Sequence, residues 1–427
     1  VATIDLTFEE FDLPNGLHVI LHRDGSIPLV AVNLWYHVGS KNEHEGESGF
    51  AHLFEHMMFQ GSENVPANMH FQHVQSAGGT LNASTSFDRT NYYETLPAHQ
   101  LELGLWLEAD RMRALAVTEE NLENQRDVVI EERRSRYDNQ PYGTMLMELF
   151  ARAYKLQPYK HPTIGSIADI RAATLEHVQA FHRMYYQPRN ATLCLAGDFD
   201  SNEAFRLVKK YFGDIVGDDV ELYRPFVHEP PQTTQIRDYV YDSIPLPALM
   251  LGMHIPDLNH RDFLPLDVLS QILTSGESSR LHRSFVYEAR VAQSIVSYAF
   301  DLEMPGLFLF RLIAQQGKSP DMLETMLWRE LDDVRRNGVT ERELEKAKNR
   351  MESSFVHSIT SLQSRADMLN TFRVLSRDAS LINRQLDHIR AVTLEDVQRV
   401  ASTYLTENNT TCLYYVPYPK QQSREGV

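Results

Sequence analysis

The chain has 427 residues, 42% hydrophobic and 23% charged, which is ordinary for a globular protein and long enough for two or three domains. Its formal net charge of −17, from 41 basic and 58 acidic residues, argues against a nucleic-acid partner, which would demand a basic face. No uninterrupted apolar run reaches transmembrane length, and no n-region with an h-region opens the chain.

The acidity fits a solubilising surface, or a cavity that attracts basic or unstructured peptides. The first residue is Val1, so removal of a leader or tag is the expectation, and the compartment stays open. Cys194 and Cys412 lie in apolar, strand-like runs without a C-x-x-C, and read as buried thiols.

Residues 8–40 alternate like strands. Phe11–Ile20 contains a Pro14-Asn15-Gly16 turn, Asp24-Gly25 breaks the pattern, and Leu29–His37 runs apolar, as in hairpin-type antiparallel structure. Next comes His52-Leu53-Phe54-Glu55-His56. Its flanks predict a helix: Ser48 is the N-cap candidate, apolar residues run from Phe50 to Phe59, and Gly61 is a stop. Helix positions four apart share a face, so both imidazoles can reach one ion. Glu55 lies on the same side, where its carboxylate can take a proton from a water on that ion. H-x-x-E-H is the inverted order of the H-E-x-x-H zinc-protease motif. Two solvated histidines on an ordinary helix satisfy the same pattern. Catalytic zinc takes three protein ligands, so a third decides between them.

After the motif, Ala77-Gly78-Gly79 is a bend, and Thr80–Ser86 reads as a strand that is polar at many positions. Thr90–Leu96 is another strand. A polar, small-residue strand is a good sheet edge, and an edge can accept an extended peptide as an added strand. Helical periodicity covers Pro97–Arg113 and Thr118–Arg136. The second of these helices carries Gln125-Arg126-Asp127-Val128-Val129-Ile130-Glu131-Glu132, and one of its glutamates could turn inward, although the pair lies far along the chain from His56. A helix over Leu175–Tyr185 and a strand over Ala191–Ala196 follow.

An internal repeat sets the domain plan. Ile170-Arg171-Ala172-Ala173-Thr174-Leu175-Glu176 recurs in the second half as Ile389-Arg390-Ala391-Val392-Thr393-Leu394-Glu395, and Val117-Thr118-Glu119 recurs as Val339-Thr340-Glu341. Two echoes in matching order mean two copies of one α+β domain. Residues 1–216 form the first, 217–234 a proline-bearing linker, and 235–427 the second. In the second copy the counterparts of His52, Glu55, His56 and Glu132 are Asp267, Ser270, Gln271 and Ser354. The four positions are lost together, which points to a function in the first half.

At this point the chain resembles the pitrilysin-type M16 metallopeptidases, closest to their two-domain subunits such as the mitochondrial processing peptidase beta subunit and bacterial heterodimeric homologues. The resemblance covers nearly the whole chain. It rests on Ser48-Gly49-Phe50-Ala51-His52-Leu53-Phe54-Glu55-His56-Met57, Gly78-Gly79-Thr80-Leu81-Asn82-Ala83, Gln125–Glu132, and Tyr185-Tyr186-Gln187-Pro188-Arg189-Asn190. It implies two antiparallel sheets with packed helices, together half of a clamshell. It further implies one zinc per chain on His52, His56 and Glu132, with Glu131 as the competing third ligand, and Glu55 as general base. Asn82, Ala83 and Ser84 become the peptide-binding edge.

Two positions depart from the family. Gln125 stands where many relatives have a glutamate behind the ligands, so tuning is expected, not loss. The family's substrate-holding arginine, and the tyrosine seven positions after it, fall on Val286 and Gln293, while Arg280 and Tyr298 have the wrong spacing. The implied protein is a zinc endopeptidase subunit acting on peptides or unfolded segments, heterodimeric with a homologue that lacks zinc and supplies the pair. A homodimeric peptidase and a non-catalytic scaffold subunit are the alternatives. Family logic favours a bacterial periplasm or cytoplasm over a mitochondrial matrix.

Overall fold

The apolar alternation at the start of the chain builds three strands, β1 (Glu9–Asp12), β2 (His18–Arg23) and β3 (Leu29–Tyr36), in the computed structural model, which describes residues 4–418. β1 and β2 form the expected antiparallel hairpin around Pro14-Asn15-Gly16. β4 (Thr80–Thr85), β5 (Thr90–Pro97) and β6 (Ala191–Gly197) complete a six-stranded sheet in the order β1-β2-β6-β3-β5-β4. β6 is buried at every residue, as its unbroken apolar run requires of a central strand.

Alternation along β3 divides the sheet into two faces. Ala31, with Ile20, Cys194 and Ala196, packs on Leu362, Ala366 and Leu369 of the Leu362–Leu375 helix. Val32, Leu34 and Tyr36 point to the opposite face, beneath the Leu101–Arg113 helix and the motif helix, Phe50–Met57.

A second sheet uses β7 (Ile236–Asp242), β8 (Ala248–His254), β9 (Ala292–Ala299), β10 (Leu307–Ala314) and β11 (Thr410–Pro417), ordered β7-β11-β8-β10-β9. Strand for strand this repeats β2-β6-β3-β5-β4. Both sheets are mainly antiparallel, and each departs from the expected antiparallel plan at one matching parallel pair, β2 with β6 and β7 with β11. The echo in the sequence is therefore an echo in topology. One face of the second sheet carries a core from the helices Phe263–Thr274, Pro320–Asn337 and Leu394–Tyr404. The Met145–Ala153 helix covers the other face, with Leu149 against Gly252 of β8.

The chain makes two compact units that are not contiguous in sequence. One comprises the chain up to Arg133, His161–Val227 and Ser353–Asp387. The other comprises Arg134–Lys160, His228–Glu352 and the chain from His388. Each half of the sequence thus gives a helical segment to the unit built on the other half's sheet. The reason is that both faces of each sheet are apolar and need cover. An amphipathic helix advertises an apolar stripe, not which sheet it will bury. The proline-bearing segment before β7 has no regular secondary structure, and its start is docked: Tyr223 O accepts from Asn42 Nδ2 and from Tyr185 Oη, both at 3.0 Å. Both cysteines are buried and free. No helix among the described residues is long and apolar enough to cross a membrane.

Candidate metal centre

The motif helix buries Phe50, Ala51, Leu53, Phe54 and Met57 and leaves His52, Glu55 and His56 half-buried on its other side. The Phe54 ring, 4.2 Å from that of Tyr186 and 5.5 Å from that of Phe181, fixes the rotation of the helix.

The expected cap is not the observed one. Gly49, at φ 90°, is the N-cap, and no side-chain cap comes from that position. A Cβ there would meet Ile164 O at 2.7 Å and Gly165 Cα at 2.8 Å, so the chain crossing requires glycine. Ser48 instead gives its amide and hydroxyl to Asp169. The first-turn amides are satisfied by Glu43: Oε2 accepts from Gly49 N at 2.9 Å and Oε1 from Ala51 N at 2.8 Å. Glu43 is buried, with His161 Nδ1 at 3.4 Å. Burial pushes its carboxyl well above the usual range, and the two amides pull it back. S-x-x-E capping patterns look forward in sequence, so a glutamate upstream of the helix gives no sequence signal.

The two imidazoles lie 4.9 Å apart between ring centroids, and both turn Nε2 toward one oxygen. His52 Nε2 is 3.8 Å and His56 Nε2 3.3 Å from Glu132 Oε2. Glu132 sits in the last turn of the Glu119–Arg133 helix, which packs on the motif helix and buries Val129 and Ile130. Of the two candidate glutamates the structure brings Glu132 to the histidines and leaves Glu131 exposed. Two imidazole nitrogens and one carboxylate oxygen are a zinc donor set. Donors bonded at about 2.1 Å in a tetrahedron stand about 3.4 Å apart, close to the spacings seen here. The residues therefore fit the ion. Gln125 is half-buried two turns earlier on the same helix.

Glu55 lies beside this cluster, and its Oε2 accepts a hydrogen bond from Thr85 Oγ1 at 2.5 Å. Burial raises its pKa. The Thr85 hydroxyl and the nearby His56 and Arg89 oppose that, and Glu132 adds to it. Thr85 belongs to no motif singled out from the sequence.

β4 is a terminal strand of its sheet, paired with β5. A Cβ at Gly79, just before it, would lie 2.5 Å from Leu96 Cδ2 and 2.8 Å from Thr95 O, so glycine lets the strand close on β5. The three expected substrate contacts do not share a face. Ala83, like Thr85, points to the motif-helix side. Ser84 points to the other side, where its hydroxyl donates to Asn91 Oδ1 at 2.7 Å. Asn91 in turn donates to Asp367 Oδ1 at 2.9 Å, on the helix that the second half of the sequence contributes. Arg89 holds Ser84 O at 2.8 Å and stacks over Trp35. Asn82 Oδ1 accepts from Ala83 N at 2.9 Å. What Asn82, Ala83 and Ser84 offer in common is the backbone of an edge strand.

A second cluster, absent from the sequence analysis, joins His70, Glu94 and Glu108, all buried. Arg111 clamps Glu108, with Nε at 2.9 Å from Oε2, and stacks 4.2 Å over the Tyr92 ring. Burial raises Glu94 and lowers His70, so both favour the neutral form. This network neutralises itself inside the core.

In the second unit Ser270 Oγ donates to Asp267 O at 2.8 Å, and burial raises the Asp267 carboxyl to about 6. No grouping of three possible ligands occurs there among the described residues. Arg280 is committed to Glu343 and Asp333, each at 2.9 Å. Val286 is half-buried, and Gln293 is exposed on β9.

The chain is similar to known proteins over nearly its whole length. Residues 18–166 match the family model "Insulinase (Peptidase family M16)", and residues 172–351 match "Peptidase M16 inactive domain". The chain is 32% identical to the zinc protease PqqE of Helicobacter pylori over 96% of this chain and 93% of that one. It is 24% identical to a probable mitochondrial-processing peptidase subunit beta of Arabidopsis thaliana over 93% of this chain and 76% of that one. Among solved structures, a protease from Helicobacter pylori superposes with a TM-score of 0.92 at 31% identity, covering 96% of this chain and all of that one.

Proposed function

Because this chain belongs to peptidase family M16, the insulinase family, we propose that it is the zinc-bearing subunit of an endopeptidase that hydrolyses peptides or unfolded segments. The observation that carries the reading is the convergence of His52 Nε2, His56 Nε2 and a Glu132 oxygen, with the Glu55 carboxylate beside them. Relatives over nearly the full chain are named zinc proteases.

His52, His56 and Glu132 would hold one zinc ion. When bound, zinc supplies Lewis acidity, polarising the scissile carbonyl and making water a nucleophile at neutral pH. Glu55 accepts the water proton and hands it to the departing amine. The backbone of Asn82, Ala83 and Ser84 takes the substrate as an added strand, which places the scissile bond by hydrogen bonds common to every peptide. Gln125 tunes the ligand helix from behind.

Residues 1–216 are the catalytic half and residues 235–427 a metal-free copy. The second half has Val286 and Gln293 where the family's substrate-holding arginine and tyrosine stand. This supports a heterodimer in which a homologue without zinc supplies that pair. Two copies of this chain would both lack it, so a homodimer is the weaker reading.

The test is cleavage of a quenched fluorescent peptide library by the purified chain, alone and with a metal-free homologue. Turnover only with the homologue, lost in Glu55→Gln, supports the heterodimer. Full turnover by the chain alone removes the need for a partner, and turnover that survives Glu55→Gln removes the general base.

A further inference from the structure

On the peptidase reading, Glu55 is the one motif residue with no ligand role, and its carboxylate must present one oxygen to a water. Its orientation is set by a hydrogen bond from outside the motif helix, Thr85 Oγ1 to Glu55 Oε2 at 2.5 Å. No hydrogen bond to Glu55 Oε1 occurs among the described residues. One oxygen is thus anchored and the other is left for a proton.

Thr85 is itself held firmly. It is the last residue of β4, paired with Thr90. Thr90 is buried, and its hydroxyl donates to Val38 O at 2.9 Å. The chain then turns back, with Ser86 N donating to Arg89 O at 2.8 Å. A rigid turn at the end of the substrate-side strand therefore carries the hydroxyl that aims the base. The methyl group could be supplied by valine. The hydroxyl could be supplied only by threonine or serine.

We propose that Thr85 is a positioning residue, an inference that rests on the peptidase reading: it fixes the Glu55 carboxylate with Oε1 toward the reacting water and ties the base to the strand that receives the peptide.

Thr85→Val, close in shape but without the hydroxyl, and Thr85→Ser, which retains it, test the proposal in the full chain with its homologue. Removing the bond leaves the base present but misaimed. Thr85→Val should lower kcat about tenfold or more, part of the usual contribution of a positioned base, with KM and zinc content unchanged. Thr85→Ser should restore most of the loss. A second readout needs neither zinc nor activity. In metal-free protein, the Tm shifts of Thr85→Val and Glu55→Ala, each of which removes the bond, should be non-additive in the double variant, because the two side chains share one bond. An unchanged kcat in Thr85→Val, a Thr85→Ser variant as impaired as Thr85→Val, or additive Tm shifts would each overturn the proposal. Loss of the peptidase reading looks different: wild-type protein fails to cleave although zinc is bound, and the thermal cycle still decides whether Thr85 and Glu55 are coupled.

Discussion

The Glu43 carboxylate accepts the Gly49 amide at 2.9 Å, and its second oxygen takes the amide of Ala51. The eight-residue helix that carries both candidate histidine ligands therefore begins on a side chain outside itself. Removing that side chain strands two first-turn donors in a buried place. Glu43→Ala should cost about 1–3 kcal/mol of stability per unsatisfied amide. It should also weaken zinc binding, because His52 directly follows the second amide. Glu43→Gln keeps an acceptor for one amide and should fall between. Thermal unfolding and a chelator-competition titration of zinc check both statements. Lower stability with unchanged zinc affinity would show that the cap does not reach the ligands.

The two adjacent glutamates give a clean contrast. Glu132 faces His52 and His56, and Glu131 is exposed. A ligand that binds only the folded state raises Tm. Zinc should therefore raise the Tm of wild type and of Glu131→Gln by similar amounts, and that of Glu132→Gln by much less. Equal shifts in the two variants would remove Glu132 from the donor set.

Acid stability should depend on Asp24. The Arg365 guanidinium, on the helix donated by the second half of the sequence, hydrogen-bonds this carboxylate and holds its pKa at about 2, with Ser26 assisting. An ordinary aspartate titrates near 4 in the unfolded chain. The folded value is the lower one, so the pair contributes its stability above about pH 4 and loses it as pH falls from there toward 2. In Asp24→Asn the fall of Tm over that window should be shallower than in wild type. Identical slopes would show that other carboxylates govern the acid limb.

Much of the candidate site is legible in the sequence. H-x-x-E-H fixes a shared face by helical geometry alone, and the structure puts His52, Glu55 and His56 on it. The third carboxylate, Glu132, comes from the family resemblance, since two strands and two further helices separate it from His56 and no local pattern spans that gap. What escapes is what depends on tertiary neighbours. Glu43 and Thr85 touch the motif helix from a preceding turn and from a strand edge, and neither contact has a fixed spacing. Ser48, the expected cap, is drawn away by Asp169, a partner 121 residues distant. Asn82 and Ser84 are expected substrate contacts, yet period two puts their side chains on the sheet face opposite the metal centre.

The fold shows the same division. The repeat predicts two similar sheets, and matched topology follows from it down to the parallel pair in each. The exchange of the Met145–Ala153 and Leu362–Leu375 helices between units is not legible. Their apolar stripes would suit either sheet, and only the packed chain decides.

Zinc stoichiometry tests the central claim most directly. Wild-type chain, saturated with zinc and dialysed against metal-free buffer, should retain about one zinc per chain by elemental analysis, as a site with three protein ligands requires. A chain that retains almost none, while still folded by its thermal transition, would contradict the account.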